Sequence, residues 1–172
     1  MSALGAEQAK QLATSLGGTG FDALHSSDLL RCRMTAEILS RTIGVDLRLD
    51  PRLREIDTGL WEGLTFEEVR ECHPREYAER EQDLVGYRFP GGESFRDLRQ
   101  RVVPAFFEIA DRGGETLLVC AHKGVNRVLL CELLGLPLTE LFSLRQDYGC
   151  VNLVEISRSP NGARRIEVIG AP

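Results

Sequence analysis

An apolar strand that runs directly into a helix is the feature that most constrains the fold of this sequence. The segment Glu115–Ala121 is almost continuously apolar, and helical periodicity follows over Val125–Leu134, ending at Gly135 with Pro137 beyond it. Continuous apolar strands are typical of parallel sheets, because helices cover both faces of such sheets. The pattern therefore predicts an α/β fold.

The same alternation of helices and strands extends over the rest of the chain. The predicted helices are Gly5–Leu16, Arg31–Ile43 with its stop at Gly44, a helix opened by the capping box Thr65–Glu68, and a long helix from Ser94 to about Ala110; the predicted strands are Phe21–His25, Leu47–Leu49, Val151–Ser157 and Arg164–Ile169. The turn signal Ser159–Gly162 joins the last two strands as a hairpin. We therefore expect residues 1–172 to form one domain, a three-layer α/β/α sandwich with a mainly parallel sheet.

The first predicted element, the helix Gly5–Leu16, is unusual for such a fold. An amphipathic helix needs a sheet against which to bury its apolar face, and only two or three parallel strands are predicted. Doubly wound domains usually begin with a strand that leads into the first helix. We therefore expect a first strand to be missing from this sequence.

Charge and composition exclude several classes of protein. The net charge of −5 argues against a nucleic-acid-binding surface, and an anionic ligand would have to be held by a few local cations. The longest strongly apolar run, Leu117–Ala121, is too short to span a membrane, and the first residues have no signal-peptide pattern. The five cysteines include no C-x-x-C pair, and there are only three histidines. We expect a cytoplasmic protein with reduced thiols, no metal site and no cofactor.

Two basic residues occupy positions where α/β domains bind anions. Arg31 is expected in the first turn of a helix just after a strand, and His122 at the junction between a strand and a helix. Both positions lie at the carboxyl end of the sheet, where ligands bind in open α/β folds. A guanidinium can hold a phosphate through two parallel hydrogen bonds, and helix amides and a protonated imidazole add to the attraction. Considered alone, Arg31 is equally compatible with a solvated surface residue and His122 with a structural histidine.

Glu55 is a candidate acid in the irregular, glycine-rich segment Leu53–Leu64. A carboxylate beside a bound phosphate dianion has a raised pKa and can protonate a leaving alcohol. Considered alone, this residue also fits a solvated loop glutamate. A tight turn, Pro90–Ser94, precedes the long helix and by itself indicates only a turn followed by a helix.

In this order, these motifs resemble the histidine phosphatase superfamily, which has the phosphoglycerate-mutase-like fold. The resemblance extends from Leu4–Ala9 to the closing strands. It implies that Arg31 and His122 form part of a phosphate pocket, that the Gly124 amide supports the phosphate, and that Glu55 donates a proton. The family usually has glycine where this chain has Lys123, so the sequence departs from the pattern at that position.

The family's attacking residue is a histidine in an Arg-His-Gly motif that closes the first strand, and this motif is absent from the sequence. His25 and His73 occupy the wrong places to replace it. In the family, the histidine attacks the phosphoryl group and water then hydrolyses the phosphohistidine. The resemblance therefore implies that a strand and a loop of about 20 residues are missing, and we expect this chain alone to be a very poor catalyst.

The short segment Leu64–Phe89 favours a phosphatase over a phosphoglycerate mutase, because mutases of this fold carry longer insertions there. Phe89–Phe95 and Gln146–Asn152 are most similar to α-ribazole phosphatases of cobalamin assembly. Two alternatives are a pseudo-phosphatase that binds phosphorylated ligands without turnover and a domain with only an interaction role. The expected ligand is a small phosphorylated metabolite or inorganic phosphate. For the chain with an incomplete sheet we expect either lower stability than a complete domain or self-association that covers the gap.

Overall fold

The computed structural model describes residues 1–112, 114–158 and 164–170. The α-helices of this part are α1 (Ala3–Ser15), α2 (Leu30–Ile43), α3 (Phe66–Cys72), α4 (Pro74–Gln82), α5 (Phe95–Arg112) and α6 (Lys123–Leu134). The strands are β1 (Ala23–Ser26), β2 (Leu47–Leu49), β3 (Leu117–Cys120), β4 (Leu153–Arg158) and β5 (Arg164–Gly170). Short 3-10 turns cover Pro51–Leu53, Gly59–Trp61 and Leu138–Phe142.

Strands β1, β2 and β3 form a parallel sheet in the order β2-β1-β3. Leu24 on the central strand is paired with Leu47 on one side and with Leu118 on the other. Parallel pairing requires crossover connections, and α2 supplies the one between β1 and β2. All three strands end at the same edge of the sheet, which brings their following loops together.

Side chains of β3 alternate between the two faces of the sheet and join two different cores. Leu118 and Cys120 pack with apolar residues of α1 and α2, whereas Leu117 and Val119 pack with those of α5 and α6. Helices therefore cover both faces of the parallel sheet. The α/β/α sandwich predicted from the sequence is confirmed.

Strands β4 and β5 form a separate antiparallel pair in which Ile156 faces Ile166. The two predicted strands near the end of the chain are thus confirmed, while the predicted turn Ser159–Gly162 lies outside the described residues. Within the described residues, β3 pairs with β1 alone. The other edge of β3 lines a cavity of about 1230 Å³ that β4 also lines, which we call the β3–β4 cavity.

Local signals set most of the helix ends. Gly44 and Gly135 end α2 and α6 in the left-handed conformation, with φ of 79° and 66°. Thr65 and Glu68 form the predicted capping box of α3. Pro74 opens α4, because proline is well suited to the first helical position.

Strand β3 is less buried than its continuous apolar sequence indicates. All four of its residues are half-buried, because one edge of the strand borders the β3–β4 cavity instead of another strand. None of the helices in the described ranges combines the length and apolarity needed to cross a bilayer.

Candidate active site

The candidate site lies at the carboxyl ends of β1 and β3, where α2 and α6 begin. Arg31 is the second residue of α2. His122 is the N-cap of α6, with an extended backbone at φ −125° and ψ 166°. The strand–helix junctions inferred from the sequence are therefore present at both residues, at the edge of the sheet where α/β domains bind ligands.

His122 is buried and held by a neighbouring hydroxyl. The residue is 8% exposed, and its Nε2 lies 2.8 Å from Ser27 Oγ. Burial, with further contributions from the charges of Arg31 and Arg101, lowers the pKa of His122 to about 4. The imidazole is thus neutral at neutral pH, whereas the sequence analysis assumed a protonated ring; a nearby phosphate dianion would raise this pKa again.

The guanidinium of Arg31 lines the same cavity as His122. Within the described residues, no hydrogen bond or ion pair engages the Arg31 side chain, which is exposed. Its positive charge nevertheless acts on His122. A guanidinium with unused donors beside a buried imidazole can receive an oxyanion in a bidentate arrangement.

Glu55 is fixed by two backbone amides, one at the start of α6 and one in its own loop. Its Oε2 accepts a hydrogen bond from the Gly124 N–H at 3.0 Å, and its Oε1 accepts one from the Ile56 N–H at 3.0 Å. A Cβ at position 124 would collide with Glu55 Oε1, so glycine is required there for this approach. The Gly124 amide, predicted to support a phosphate, is instead bonded to the Glu55 carboxylate.

Arg101 on α5 holds the loop that carries Glu55. Its guanidinium donates to the carbonyl oxygens of Arg52 and Arg54 at 2.8 and 3.0 Å. It also forms a two-point ion pair with Glu93, with N···O distances of 2.9 and 2.6 Å. By joining the carbonyl groups of this segment to the carboxylate of Glu93 on another loop, Arg101 explains how an irregular segment places Glu55 at the sheet edge.

The parts played by Ser27 and Arg101 were not predicted from the sequence. A polar residue directly after a strand, at the carboxyl edge of the sheet, was the available signal for Ser27. No local signal pointed to Arg101, because the carbonyl groups that it binds lie 49 and 47 residues away in the chain.

The β3–β4 cavity brings together the three side chains predicted from the sequence. Arg31, Glu55 and His122 all line it, as does Lys123. Its other walls include apolar residues of α1, α5, α6, β3 and β4 and the loop 146–152. The cavity therefore combines a cationic end with an apolar interior, and its volume of about 1230 Å³ exceeds the roughly 300–1,000 Å³ of ordinary small-molecule sites.

The two other histidines lie away from this cavity. His25 is on β1, and its Nε2 is buried without a hydrogen-bond partner in the described structure. His73 lies between α3 and α4. Neither residue is among those that line the cavity. Across the described ranges, His, Cys, Asp and Glu form no group of three or more that could hold a metal ion.

Comparison with known proteins shows what this arrangement resembles. The chain is 38% identical over 143 residues to 6-phosphofructo-2-kinase/fructose-2,6-bisphosphatase 1 of Rattus norvegicus; the match covers 82% of this chain and 29% of the rat protein. This chain therefore spans less than a third of the length of that relative. The rest of the rat enzyme lies outside the matched residues.

Solved structures of phosphatases superimpose on nearly the whole chain. The α-ribazole phosphatase of Shigella flexneri matches with a TM-score of 0.86 and 26% identity, covering 97% of this chain and 82% of its own. A mycobacterial glucosyl-3-phosphoglycerate phosphatase, solved with inorganic phosphate, matches with a TM-score of 0.82 and 28% identity, covering 99% and 86%. These neighbours share the phosphoglycerate-mutase-like fold, as the sequence predicted.

A family description, the histidine phosphatase superfamily (branch 1), matches residues 1–168, which is almost the entire sequence. That match agrees with the α/β/α architecture and with the conjunction of Arg31, Glu55 and His122 at one end of the sheet. This chain belongs to the histidine phosphatase superfamily.

Proposed function

We propose that this domain binds the phosphoryl group of a small phosphorylated metabolite between Arg31 and His122 and serves in its hydrolysis. The observation that carries the proposal is the unengaged Arg31 guanidinium, which shares one cavity with the buried imidazole of His122 and the carboxylate of Glu55. Support comes from the phosphatase relatives and from the mycobacterial neighbour that was solved with inorganic phosphate.

Each of the three side chains would have a different role in binding and hydrolysing the phosphate ester. Arg31 would bind two phosphate oxygens, and His122 would take up a proton as the dianion arrives and then donate to a third oxygen. Glu55, fixed by the Gly124 and Ile56 amides, would protonate the leaving alcohol. Charge stabilisation and positioning would account for most of the rate enhancement.

We further propose that the attacking histidine belongs to a strand that pairs with the free edge of β3. The sequence has no Arg-His-Gly, which holds the nucleophile in the family that it resembles. Strand β3 has one unpaired edge in the described structure and borders a cavity that Arg31 and His122 also line. A strand running parallel to β3 there would end beside the proposed phosphate position.

As substrate we propose α-ribazole phosphate, the intermediate of cobalamin nucleotide-loop assembly. The likeness to the Shigella enzyme supports this choice. The loop 146–152 also supports it, because its sequence is similar to that of α-ribazole phosphatases and it lies on the cavity wall. Gln146 and Asn152 hold this loop by exchanging amide hydrogen bonds of 3.0 Å. Relative kcat/KM for α-ribazole phosphate, phosphoserine and a phosphoglycerate ester would test the choice, and a preference for either of the last two would refute it.

Phosphate binding can be tested by thermal protection. At a phosphate concentration of 100 times the dissociation constant, binding adds about 2.7 kcal/mol to the unfolding free energy. For a domain of this size that raises Tm by roughly 5–10 °C. We expect the shift to be largely lost in Arg31→Ala and kept in Arg33→Ala, since Arg33 on the same helix pairs with Glu37 on the surface. Equal protection in all three proteins would remove Arg31 from the site.

The origin of the nucleophile can be tested by adding a strand that ends in Arg-His-Gly, with a connecting loop, ahead of Met1. The unextended chain is expected to hydrolyse an aryl phosphate near background, because loss of a covalent nucleophile costs on the order of 10⁶-fold in a comparable enzyme. The extended protein should be faster by several orders of magnitude, and an extension with alanine in place of the histidine is the matched control. Strong activity of the unextended chain that disappears in His122→Gln would instead identify His122 as the nucleophile.

A further inference from the structure

Two cysteine side chains meet directly behind the candidate phosphate site. Cys32 Sγ lies 3.4 Å from Cys120 Sγ, although the residues are 88 positions apart in the sequence. Cys32 is in the first turn of α2, and Cys120 is the last residue of β3. Both thiols are free and both residues line the β3–β4 cavity; Cys32 is buried and Cys120 is half-buried.

The surroundings of the two sulfurs assign them different reactivity. A hydrogen bond with the Cys120 thiol, aided by Ser26 and by the charge of Arg31, lowers the pKa of Cys32. That same contact and burial raise the pKa of Cys120 well above its usual range. Cysteines in the first turn of a helix, beside a cation, are the ones that react as thiolates. Cys32 is thus suited to react first with an oxidant, and Cys120 is suited to form the disulfide with the oxidised Cys32.

We propose that Cys32 and Cys120 form an oxidisable dithiol that a peroxide converts into a disulfide, and that this disulfide weakens phosphate binding at Arg31 and His122. The first part depends only on the geometry of the two thiols, and the second part rests on the proposed function. Redox-sensitive thiols commonly have a low pKa and lie next to a resolving cysteine; Cys32 has a lowered pKa and Cys120 lies beside it.

The reaction proceeds in two steps with hydrogen peroxide as the oxidant. The Cys32 thiolate attacks one peroxide oxygen; the O–O bond breaks, an S–O bond forms, and the departing hydroxide takes up a proton to become water. Cys120 then attacks the resulting sulfenic sulfur, forming the S–S bond and breaking the S–O bond. The second hydroxide leaves with the proton of Cys120 as water, so two thiols and one peroxide yield one disulfide and two waters.

Closure of this disulfide would act on both phosphate ligands. A disulfide bond of about 2.05 Å requires the sulfurs, now 3.4 Å apart, to approach each other by about 1.4 Å. Cys32 is adjacent to Arg31, and Cys120 is two residues before His122. Oxidation also ends the hydrogen bond from the Cys32 thiol to the Cys120 carbonyl, now 3.2 Å long. The start of α2 and the end of β3 would therefore shift together, and the spacing of the phosphate ligands would change.

The test uses the protein in a Cys72→Ser background, because Cys72 is exposed and would form intermolecular disulfides. After treatment with hydrogen peroxide and blocking of free thiols, peptide mass mapping should show Cys32 linked to Cys120. The link should be absent in Cys120→Ser and retained in Cys150→Ser, since Cys150 also lines the cavity but has no nearby cysteine partner among the described residues. Absence of the link, or oxidation of Cys32 and Cys120 that leaves them unlinked, would overturn the dithiol.

The effect on the site is read from thermal protection by inorganic phosphate. Protection should fall after peroxide treatment and return after reduction with dithiothreitol, with no such cycle in Cys120→Ser. A disulfide that forms without changing protection overturns the second part of the proposal. Absence of protection in the reduced protein would refute the proposed function instead, while peptide mapping would still decide whether the dithiol exists.

Discussion

Replacing His122 by glutamine should remove a pH dependence of stability that the structure assigns to this one side chain. The folded-state pKa of His122 is about 4, against an ordinary value of 6.5. As the pH falls below 6.5, the unfolded chain takes up a proton at this position and the folded protein does not. The stabilisation is therefore fully present above pH 6.5 and is lost as the pH falls toward 4.

The size of the effect follows from the two pKa values. One unit of pKa difference corresponds to 1.36 kcal/mol, so the full difference is roughly 3 kcal/mol, and about 2 kcal/mol of it is lost between pH 7 and pH 5. Glutamine has no proton to gain in this range, and its amide nitrogen can approach Ser27 Oγ as His122 Nε2 does. We therefore expect the variant to lose about 2 kcal/mol less than the parent over the same interval.

Urea unfolding at pH 7 and pH 5, in buffer free of phosphate, measures both differences. Burial also lowers the pKa of His25, but that residue is present in both proteins and cancels in the comparison. His73→Gln is the matched control and should behave as the parent. Equal losses of stability in the parent and in His122→Gln would refute the assigned burial and charge environment of His122. Addition of phosphate should reduce the pH dependence of the parent, because a dianion raises the folded-state pKa.

Two further predictions concern the proton donor and the free edge of β3. In the protein extended with the Arg-His-Gly strand, Glu55→Gln keeps an oxygen that can accept the hydrogen bond from the Gly124 amide, yet it should slow hydrolysis of an alkyl phosphate by about 10²–10⁴-fold. Hydrolysis of an aryl phosphate should be slowed much less, because its leaving group needs less protonation. Equal slowing of the two substrates would contradict the role of Glu55 as the acid. The extended protein should also melt at a higher temperature and self-associate less than the unextended chain, because the added strand covers an unpaired edge and apolar surface; sedimentation and calorimetry showing no difference between the two would contradict this.

Much of the local structure follows from the sequence because its causes lie within a few residues. Gly44 ends a helix because glycine tolerates the left-handed conformation. Thr65 opens a helix because its hydroxyl accepts a hydrogen bond from the backbone amide of Glu68, three residues later in the chain. The continuous apolar run before His122 placed that residue at a strand–helix junction for the same kind of reason. The fold class and the positions of Arg31 and His122 could therefore be inferred without coordinates.

Tertiary structure alone decided how these positions interact. The contacts between His122 and Ser27, between Glu55 and Gly124, and between Cys32 and Cys120 join residues 95, 69 and 88 positions apart. Which groups meet at such separations depends on the order of the strands in the sheet. The hydrophobic periodicity of the sequence does not indicate that order. The Gly124 amide thus proved to bind a carboxylate, and His122 proved to be neutral, because burial and neighbouring charges, rather than residue type, set hydrogen-bond partners and pKa values.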